Sequence, residues 1–573
     1  MPPDGQLREH LEAWRASVRA TPLVEAARLP AMLRRRLDGE RVTELLDALE
    51  AFAPSVTGVV EDAAVAGEGS PPVHVPFDGV GRRQESIAFH PSYAQAGRSI
   101  WASGILACQD GGGGAYEQAA LFYLLAHAGE GGHACPVACT AGLVRALQDH
   151  GSAPLRERYL PGLVEDDYDR ALRGAQFLTE VHGGSDVGAN TTRAVADVAG
   201  DGWWRIHGEK WFCSVADADL FAVIARIDAS SAGTRGLGCF LVPRRSPDGS
   251  PNGFRIRRLK PKLGTRAMAT AEIDFDGARG TPIGSPEAGF HVAVEALLNT
   301  SRWLNALGSA ALAQRADIEA SAFARHRTAF GGTIDRFPLV REALALIRAE
   351  ARASLLSSLE VTDLLDRRDA GGADRDDVAF HRLLVNANKF VTSVGATSAV
   401  RRAIEVLGGN GTIEDFSPLP RLYRDSIVFE SWEGTHNVLC EQVRRDCVRY
   451  DLLDGVLARL HARLGAVDHR ALDEDRALVV EALERLTPRL RAAIADEGIG
   501  AAHFRRHLHT LTRVVQAVCL LAEADAELHG SGGRDTSTAA VAGLHVRRHL
   551  VVGYEPDADP GHLERIDRVV GGG

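Results

Sequence analysis

Two short stretches hold residue types that could do chemistry. The first is Gln176-Phe177-Leu178-Thr179-Glu180-Val181-His182-Gly183-Gly184-Ser185-Asp186; the second, about 250 residues downstream, is Ser431-Trp432-Glu433-Gly434-Thr435-His436-Asn437. Glycines let backbone N–H groups come close to a ligand, and the hydroxyls of Thr179 and Ser185 can donate to ring nitrogens and carbonyls. Such a loop suits a planar, phosphate-bearing molecule. Glu433 offers a carboxylate between an indole and a glycine. A carboxylate desolvated against Trp432 has a raised pKa, which improves it as a base toward a weakly acidic C–H proton. Alone, each stretch has an ordinary structural reading, since hydroxyls cap loops and glutamates sit near helix ends.

Further candidates flank this pair. Lys210-Trp211-Phe212-Cys213-Ser214 combines aromatic rings with a hydroxyl and a weakly donating thiol. Arg327-Thr328-Ala329-Phe330-Gly331 presents a guanidinium, whose planar fork pairs bidentately with phosphate oxygens. Gly408-Gly409-Asn410-Gly411 lacks the spacing of a dinucleotide fingerprint and follows a helical pattern, so a Rossmann reading fails. His133, Cys135 and Cys139 are potential ligands without an evident fourth, so no metal site is expected. Glu430 is a second carboxylate near Glu433.

The elements that must position these residues follow from periodicity. Residues 1 to about 60 read as amphipathic helix, with Val42, Leu45, Leu46 and Leu49 on one face. Residues 67–81 read as a Pro/Gly-rich loop, and helical patterning resumes from about Gln84 to Leu172, broken at residues 111–114. Between about 174 and 289, short strand-like runs such as Phe221-Ala222-Val223-Ile224-Ala225 alternate with turns, which predicts a small antiparallel barrel. From 290 to 450, long apolar-periodic runs such as 343–359 and 383–407 predict a four-helix bundle. A further helical segment fills 451–573. The fold class is therefore α+β, mainly α, in four domains: 1–173, 174–289, 290–450 and 451–573.

At 573 residues, 45% apolar and 25% charged, the chain is an ordinary globular composition spread over several cores. No apolar run is long enough to span a membrane, the start has no apolar leader, and eight cysteines are too sparse for a disulfide framework. A cytoplasmic location is expected. The net charge of −11 excludes a globally basic nucleic-acid binder.

In order and spacing, residues 177–186, 327–331 and 407–411 with Trp432-Glu433-Gly434 resemble the acyl-CoA dehydrogenase superfamily. The chain is most similar there to the AidB-like (alkylation-response) flavoproteins. That likeness rests on Gly183-Gly184-Ser185-Asp186 with residues 190–194, on residues 208–212, on Leu259-Lys260-Pro261-Lys262-Leu263-Gly264, and on Leu419-Pro420-Arg421-Leu422-Tyr423-Arg424. It covers roughly residues 85–450. It implies FAD as cofactor, bound by Phe177, Leu178, Thr179, Gly184, Ser185, Phe212, Cys213, Ser214, Arg327, Phe330, Glu405, Gly408, Gly409 and Thr435. Phe212 stands where the family commonly has Trp, Ser214 keeps a hydroxyl near flavin N5, and Trp211 is a packing residue. Thr412 replaces a common Tyr, and Glu405 a common Gln. The resemblance assigns Ser185, Arg302 and Gly434 to the acyl-thioester substrate, gives Arg266 a structural role, and makes Glu433 the base. Glu433 would remove the α-proton of an acyl-CoA while hydride leaves the β-carbon for flavin N5. It further implies a homotetramer, a dimer of dimers in which Arg327 reaches a neighbour's flavin, and an acceptor such as an electron-transfer flavoprotein.

Two functions then compete: an FAD-dependent acyl-CoA dehydrogenase, and an AidB-like flavoprotein that binds and protects DNA during alkylation stress with little turnover. In residues 451–573, 15 arginines and no lysine stand against 19 acidic residues, a net of −4. A duplex-binding module is normally clearly basic, so the enzyme is favoured.

Overall fold

The computed structural model describes residues 8–197, 202–246 and 249–571. The first seven residues of the predicted N-terminal helical segment lie outside that set. Two compact units emerge: residues 54–304, and residues 1–53 together with 305–573.

In the first unit, strands β1 (Val73–Phe77) and β2 (Arg83–Ala88) form a hairpin. The barrel comprises β3 (Gly174–Phe177), β4 (Arg193–Ala196), β5 (Trp204–Ser214), β6 (Leu220–Arg226), β7 (Leu237–Pro243), β8 (Phe254–Leu259) and β9 (Thr270–Pro282). Pairings β6–β4, β4–β5, β5–β9, β9–β7 and β7–β6 close a ring; β3 joins at β6 and β8 at β9. The ring is antiparallel apart from the parallel contact of β4 with β6, and β3 also runs parallel to β6. Strands β6 and β7 are buried almost throughout, which explains their unbroken apolar runs. One face packs on helices Ala134–His150 and Ala153–Leu163, where Leu143, Leu147 and Leu163 meet Leu220, Ile224 and Leu241.

The β1–β2 hairpin replaces the loop and helix start expected around residues 67–90. Its determinant is a long-range contact. The buried Glu85 carboxylate accepts the backbone N–H of Ile256 at 2.9 Å, pairs with Arg83 and lies 2.9 Å from His74 Nε2. Local periodicity carries no trace of such a partner.

The second unit is helical. Long helices Asn299–His326, Pro338–Asp369 and Arg375–Leu407 are followed by Leu419–Ser431 and His436–Tyr450, and both shorter helices pack on Arg375–Leu407. Asp374 starts Arg375–Leu407 with a reciprocal capping box to Asp377. Leu312, Phe323, Ile347, Val400, Leu422 and Phe429 form the core, joined by Trp14 of the N-terminal helix Glu9–Arg19. Val42, Leu45, Leu46 and Leu49 are all buried, as their spacing predicts. Helices Leu452–Gly465, Asp473–Ala495, Ile499–Ser531, Ser537–Leu550 and His562–Gly571 complete the unit.

Gly208, inside β5, has φ +135°, and a Cβ there would lie 2.7 Å from the Thr192 Cα. Gly208→Ala should therefore lower barrel stability by about 1–3 kcal/mol, read as a shift of the denaturant midpoint without loss of secondary structure.

Candidate functional site

In the unit of residues 54–304, the loop after β3 is anchored by a buried ion pair. Lys210 Nζ lies 2.9 Å from Glu180 Oε1, and both side chains are almost wholly buried. The same carboxylate accepts the backbone N–H groups of Thr191 and Thr192 at 2.7 and 3.0 Å, and the Thr191 hydroxyl at 2.8 Å. Burial pushes the Glu180 carboxyl up, but the Lys210 charge and these donors outweigh it and leave it at about 2. Lys210 also donates to the Leu178 carbonyl at 3.1 Å, and Asn190 Nδ2 to that oxygen at 2.8 Å.

This frame decides what the loop presents. The side chains of Phe177 and Leu178 are buried, with the Phe177 ring 4.9 Å from Phe221, so both are spent on packing. Thr179 uses its carbonyl to accept the N–H of Trp211 at 2.9 Å. Gly184 lies against the Thr179 hydroxyl: a Cβ there would come within 2.5 Å of Oγ1. Ser185 is exposed.

A bulge interrupts the β5–β9 ladder between Lys210 and Cys213. It turns Phe212 outward, where this apolar ring is 53% exposed. Trp211 lies beneath Lys260, whose Nζ is 3.4 Å from the ring centroid. The Cys213 thiol is fully buried, and burial pushes its pKa well up, so it stays protonated. Ser214 Oγ lies 3.2 Å from Thr270 Oγ1, which accepts from Lys262 Nζ at 3.0 Å. The Thr270 hydroxyl also donates to Met268 Sδ at 3.5 Å, which leaves Ser214 as the donor of the Ser214–Thr270 pair. Val215 follows at φ +57°, a strained conformation for a β-branched residue. Arg302 is buried, with Nη1 3.3 Å from Asn299 Oδ1. Arg266 is half-exposed and donates to the Lys262 carbonyl at 3.2 Å.

In the helical unit, Glu433 has φ +57° and is followed by Gly434 at φ +103°. A glutamate rarely adopts this left-handed conformation unless its surroundings impose it. The constraint is Lys389, a fully buried lysine that donates to the carbonyls of Glu430 and Gly434 at 3.0 Å each. Glu430 itself is committed: it accepts from Thr397, and its Oε2 lies 2.9 Å from His436 Nε2. Burial pushes Glu430 up, yet the hydrogen bonds from His436 and Thr397 leave it below the usual carboxylate range. Thr435 begins helix His436–Tyr450 and accepts the N–H of Leu439.

Arg327 precedes a tight hairpin, Thr328–Ala329 with Gly332–Thr333. Phe330 and Gly331 both have positive φ, +50° and +86°, as a type I′ turn requires. Phe330 is 99% exposed at the tip. Arg327 is exposed; its backbone hydrogen-bonds Phe323 and Ile334, while its guanidinium has no hydrogen-bond or ion-pair partner among the described residues. Glu405 is exposed near the end of its helix, Gly408 turns the chain at φ +64°, and nothing lies within 4 Å of where a Cβ at Gly408 or Gly409 would be.

Residues 175–278 match the acyl-CoA dehydrogenase middle domain, residues 287–447 the acyl-CoA dehydrogenase C-terminal domain, and residues 23–170 the N-terminal domain of the adaptive response protein AidB. AidB of Escherichia coli (strain K12) is 35% identical over 400 residues, covering 67% of this chain and 71% of its own. The chain belongs to the acyl-CoA dehydrogenase family. Among solved structures, Caenorhabditis elegans ACDH-11 in complex with C11-CoA superposes with a TM-score of 0.85 at 28% identity, over 93% of this chain and 91% of that one. A Bacillus anthracis acyl-CoA dehydrogenase complexed with FAD shares the fold, with a TM-score of 0.67 at 20% identity over 84% of this chain and 82% of that one.

Three supporting residues escaped sequence reasoning: Glu180 as the anchor of Lys210, Lys389 beneath the Glu433 turn, and His436 as the partner of Glu430. Lys389 lies inside a long apolar-periodic helix, where a charge was the available signal; Lys210 follows Glu209 in a mixed strand and gives none. Lys210→Met should cost about 3–5 kcal/mol, because it leaves a buried carboxylate unpaired. The depressed Glu180 pKa stabilises the fold above the ordinary carboxylate range, and that stabilisation should fade as pH falls toward about 2. Denaturation of wild type and Glu180→Gln across this acid range checks it, since the variant should lack the Glu180 contribution to the pH slope.

Proposed function

We propose that the protein is an FAD-dependent acyl-CoA dehydrogenase that removes hydrogen from the α and β carbons of an acyl thioester, with Glu433 as the α-proton base. The observation that carries this is the contrast between two neighbouring carboxylates. Glu430 is saturated by His436 and Thr397, whereas Glu433 is set on a strained turn fixed by Lys389. Strain held by a buried tether is the signature of a positioned functional group. ACDH-11, which is complexed with C11-CoA, supports an acyl-CoA as the substrate class.

The residues present fit FAD. An outward-turned Phe212, the exposed Ser185 hydroxyl, an Arg327 guanidinium without a partner among the described residues and the open glycines at 408–409 offer an apolar face, a ring donor and phosphate donors. FAD, when bound, supplies the acceptor for the hydride that leaves the β-carbon. The chain's own residues do the rest. The hydroxyls of Thr179, Ser185 and Ser214 hydrogen-bond the ring; Phe177, Leu178, Gly184 and Cys213 offer backbone at close range. Arg327, Phe330, Glu405, Gly408, Gly409 and Thr435 hold the phosphate and adenosine end. Ser185, Arg302 and Gly434 orient the thioester. Glu433 accepts the α-proton on its carboxylate, and polarising the thioester carbonyl stabilises the enolate that forms.

The wholly exposed Phe330 beside Arg327 supports an assembly in which this hairpin meets a neighbouring chain, a homotetramer built as a dimer of dimers. The acceptor is an electron-transfer flavoprotein and the compartment the cytoplasm; among the described residues no helix is long and apolar enough to cross a membrane. The working division remains 1–173, 174–289, 290–450 and 451–573. The DNA-protective alternative is weakened by the tail's arginines, several of which are spent internally: Arg547 on Glu474 and Asp475, Arg513 on Glu350.

Glu433→Gln should retain bound flavin yet lower turnover of an acyl-CoA panel, assayed with an artificial acceptor, by about 10²–10⁴-fold. Glu430→Gln should fall less, and equal losses in both would sink the assignment. Salt-sensitive duplex binding with no turnover on any thioester would favour the DNA-protective reading.

A further inference from the structure

Away from these residues, the helical unit holds a cavity of about 210 Å³. It forms where Ile499–Ser531 and Ser537–Leu550 pack on Pro338–Asp369 and Arg375–Leu407. Leu346, Val394 and Leu544 give it apolar wall, and its polar wall is unusually cationic. Arg402, Arg513 and Arg548 converge there with one carboxylate, Glu350. Arg513 Nη1 spans that carboxylate at 2.9 and 3.0 Å, and Gly395 makes room for it, since a Cβ at 395 would overlap Glu350. One ion pair is thus closed and two guanidinium charges remain. The Arg402 guanidinium reaches only the neutral Ser398 hydroxyl, and that of Arg548, a residue exposed at the cavity's edge, has no hydrogen bond or ion pair among the described residues. Arg513 Nε is a buried donor without a partner.

Three imidazoles, His509, His545 and His549, complete the lining. Burial and the nearby arginines hold His509 and His545 down at about 4 and His549 well below its ordinary value. The surrounding charges are accounted for: Arg505 also faces His509, and Glu405 and Arg401 act on Arg402. A neutral imidazole cluster beside surplus guanidinium charge is an electropositive pocket that lacks an anion.

We propose that this cavity binds a small phosphomonoester, with Arg402, Arg513 Nε and Arg548 on the phosphate and Leu346, Val394 and Leu544 against a short apolar stem. Planar guanidinium forks match phosphate oxygens, and several of them suit a dianion better than a single carboxylate. The volume is below the roughly 300–1,000 Å³ typical of drug-sized ligands, which favours a compact molecule over a nucleotide. An entering dianion stabilises imidazolium, so binding is coupled to proton uptake. The site touches neither Glu433 nor the glycine loops.

Calorimetry on the flavin-loaded full-length protein, with butyl phosphate and inorganic phosphate as probes, tests this. One site per chain is expected, with butyl phosphate the tighter probe. Its binding heat should vary with the buffer's ionisation enthalpy above neutral pH, where the probe is already a dianion. Arg548→Gln and Arg402→Gln should each weaken it about tenfold or more, and Arg548→Gln should leave flavin content and acyl-CoA turnover unchanged. Absence of saturable binding at millimolar probe overturns the proposal. So does binding that both variants retain, which would put the phosphate elsewhere. Duplex DNA binding lost in Arg548→Gln without any small-anion binding would assign these arginines to a nucleic-acid backbone instead, and also overturns it.

Discussion

The barrel's functional wall hangs from one interaction, the buried pair of Glu180 and Lys210. Placing two charges where apolar side chains could pack is costly, and the cost is offset by the hydrogen bonds that gather on both partners. Glu180 gathers the N–H groups of Thr191 and Thr192, while Lys210 adds the Leu178 carbonyl. Three segments distant in sequence are thereby locked together: the loop after β3, the approach to β4 and the middle of β5. Thr179 and Gly184 lie at one end of this lock, and the bulge that exposes Phe212 lies at the other.

The helical unit repeats the device with a different chemistry. Lys389 donates to two backbone carbonyls on either side of Glu433. Both lysines spend their charge on geometry, and Lys389 does so across Glu433, a non-glycine residue in left-handed backbone. Strain of this kind persists only where surrounding contacts over-determine it.

The C-terminal helices add more than length. Their acidic balance masks a sorting of charge. Arg547 is absorbed by Glu474 and Asp475, whereas Arg548, its neighbour in sequence, opens on the cavity lined by His509, His545 and His549. Adjacent helical residues point in different directions, so a sequence pair of arginines is not a stripe.

The sequence by itself determined the fold class, the family and the residues worth testing. Periodicity marked the helices, as Val42, Leu45, Leu46 and Leu49 show, and unbroken apolar runs marked the barrel strands. Glycine and hydroxyl types at fixed spacing marked the loop and the two turns, because those residue types are dictated by local backbone and by direct ligand chemistry. Only the tertiary structure decided the β1–β2 hairpin, the anchoring of Lys210 by Glu180, the tether from Lys389 and the commitment of Glu430 to His436. Each depends on a partner that is remote in sequence or on another element, and on burial that turns an ordinary charge into a constraint. Pattern along a chain reports what each segment buries; it does not report what that segment is buried against.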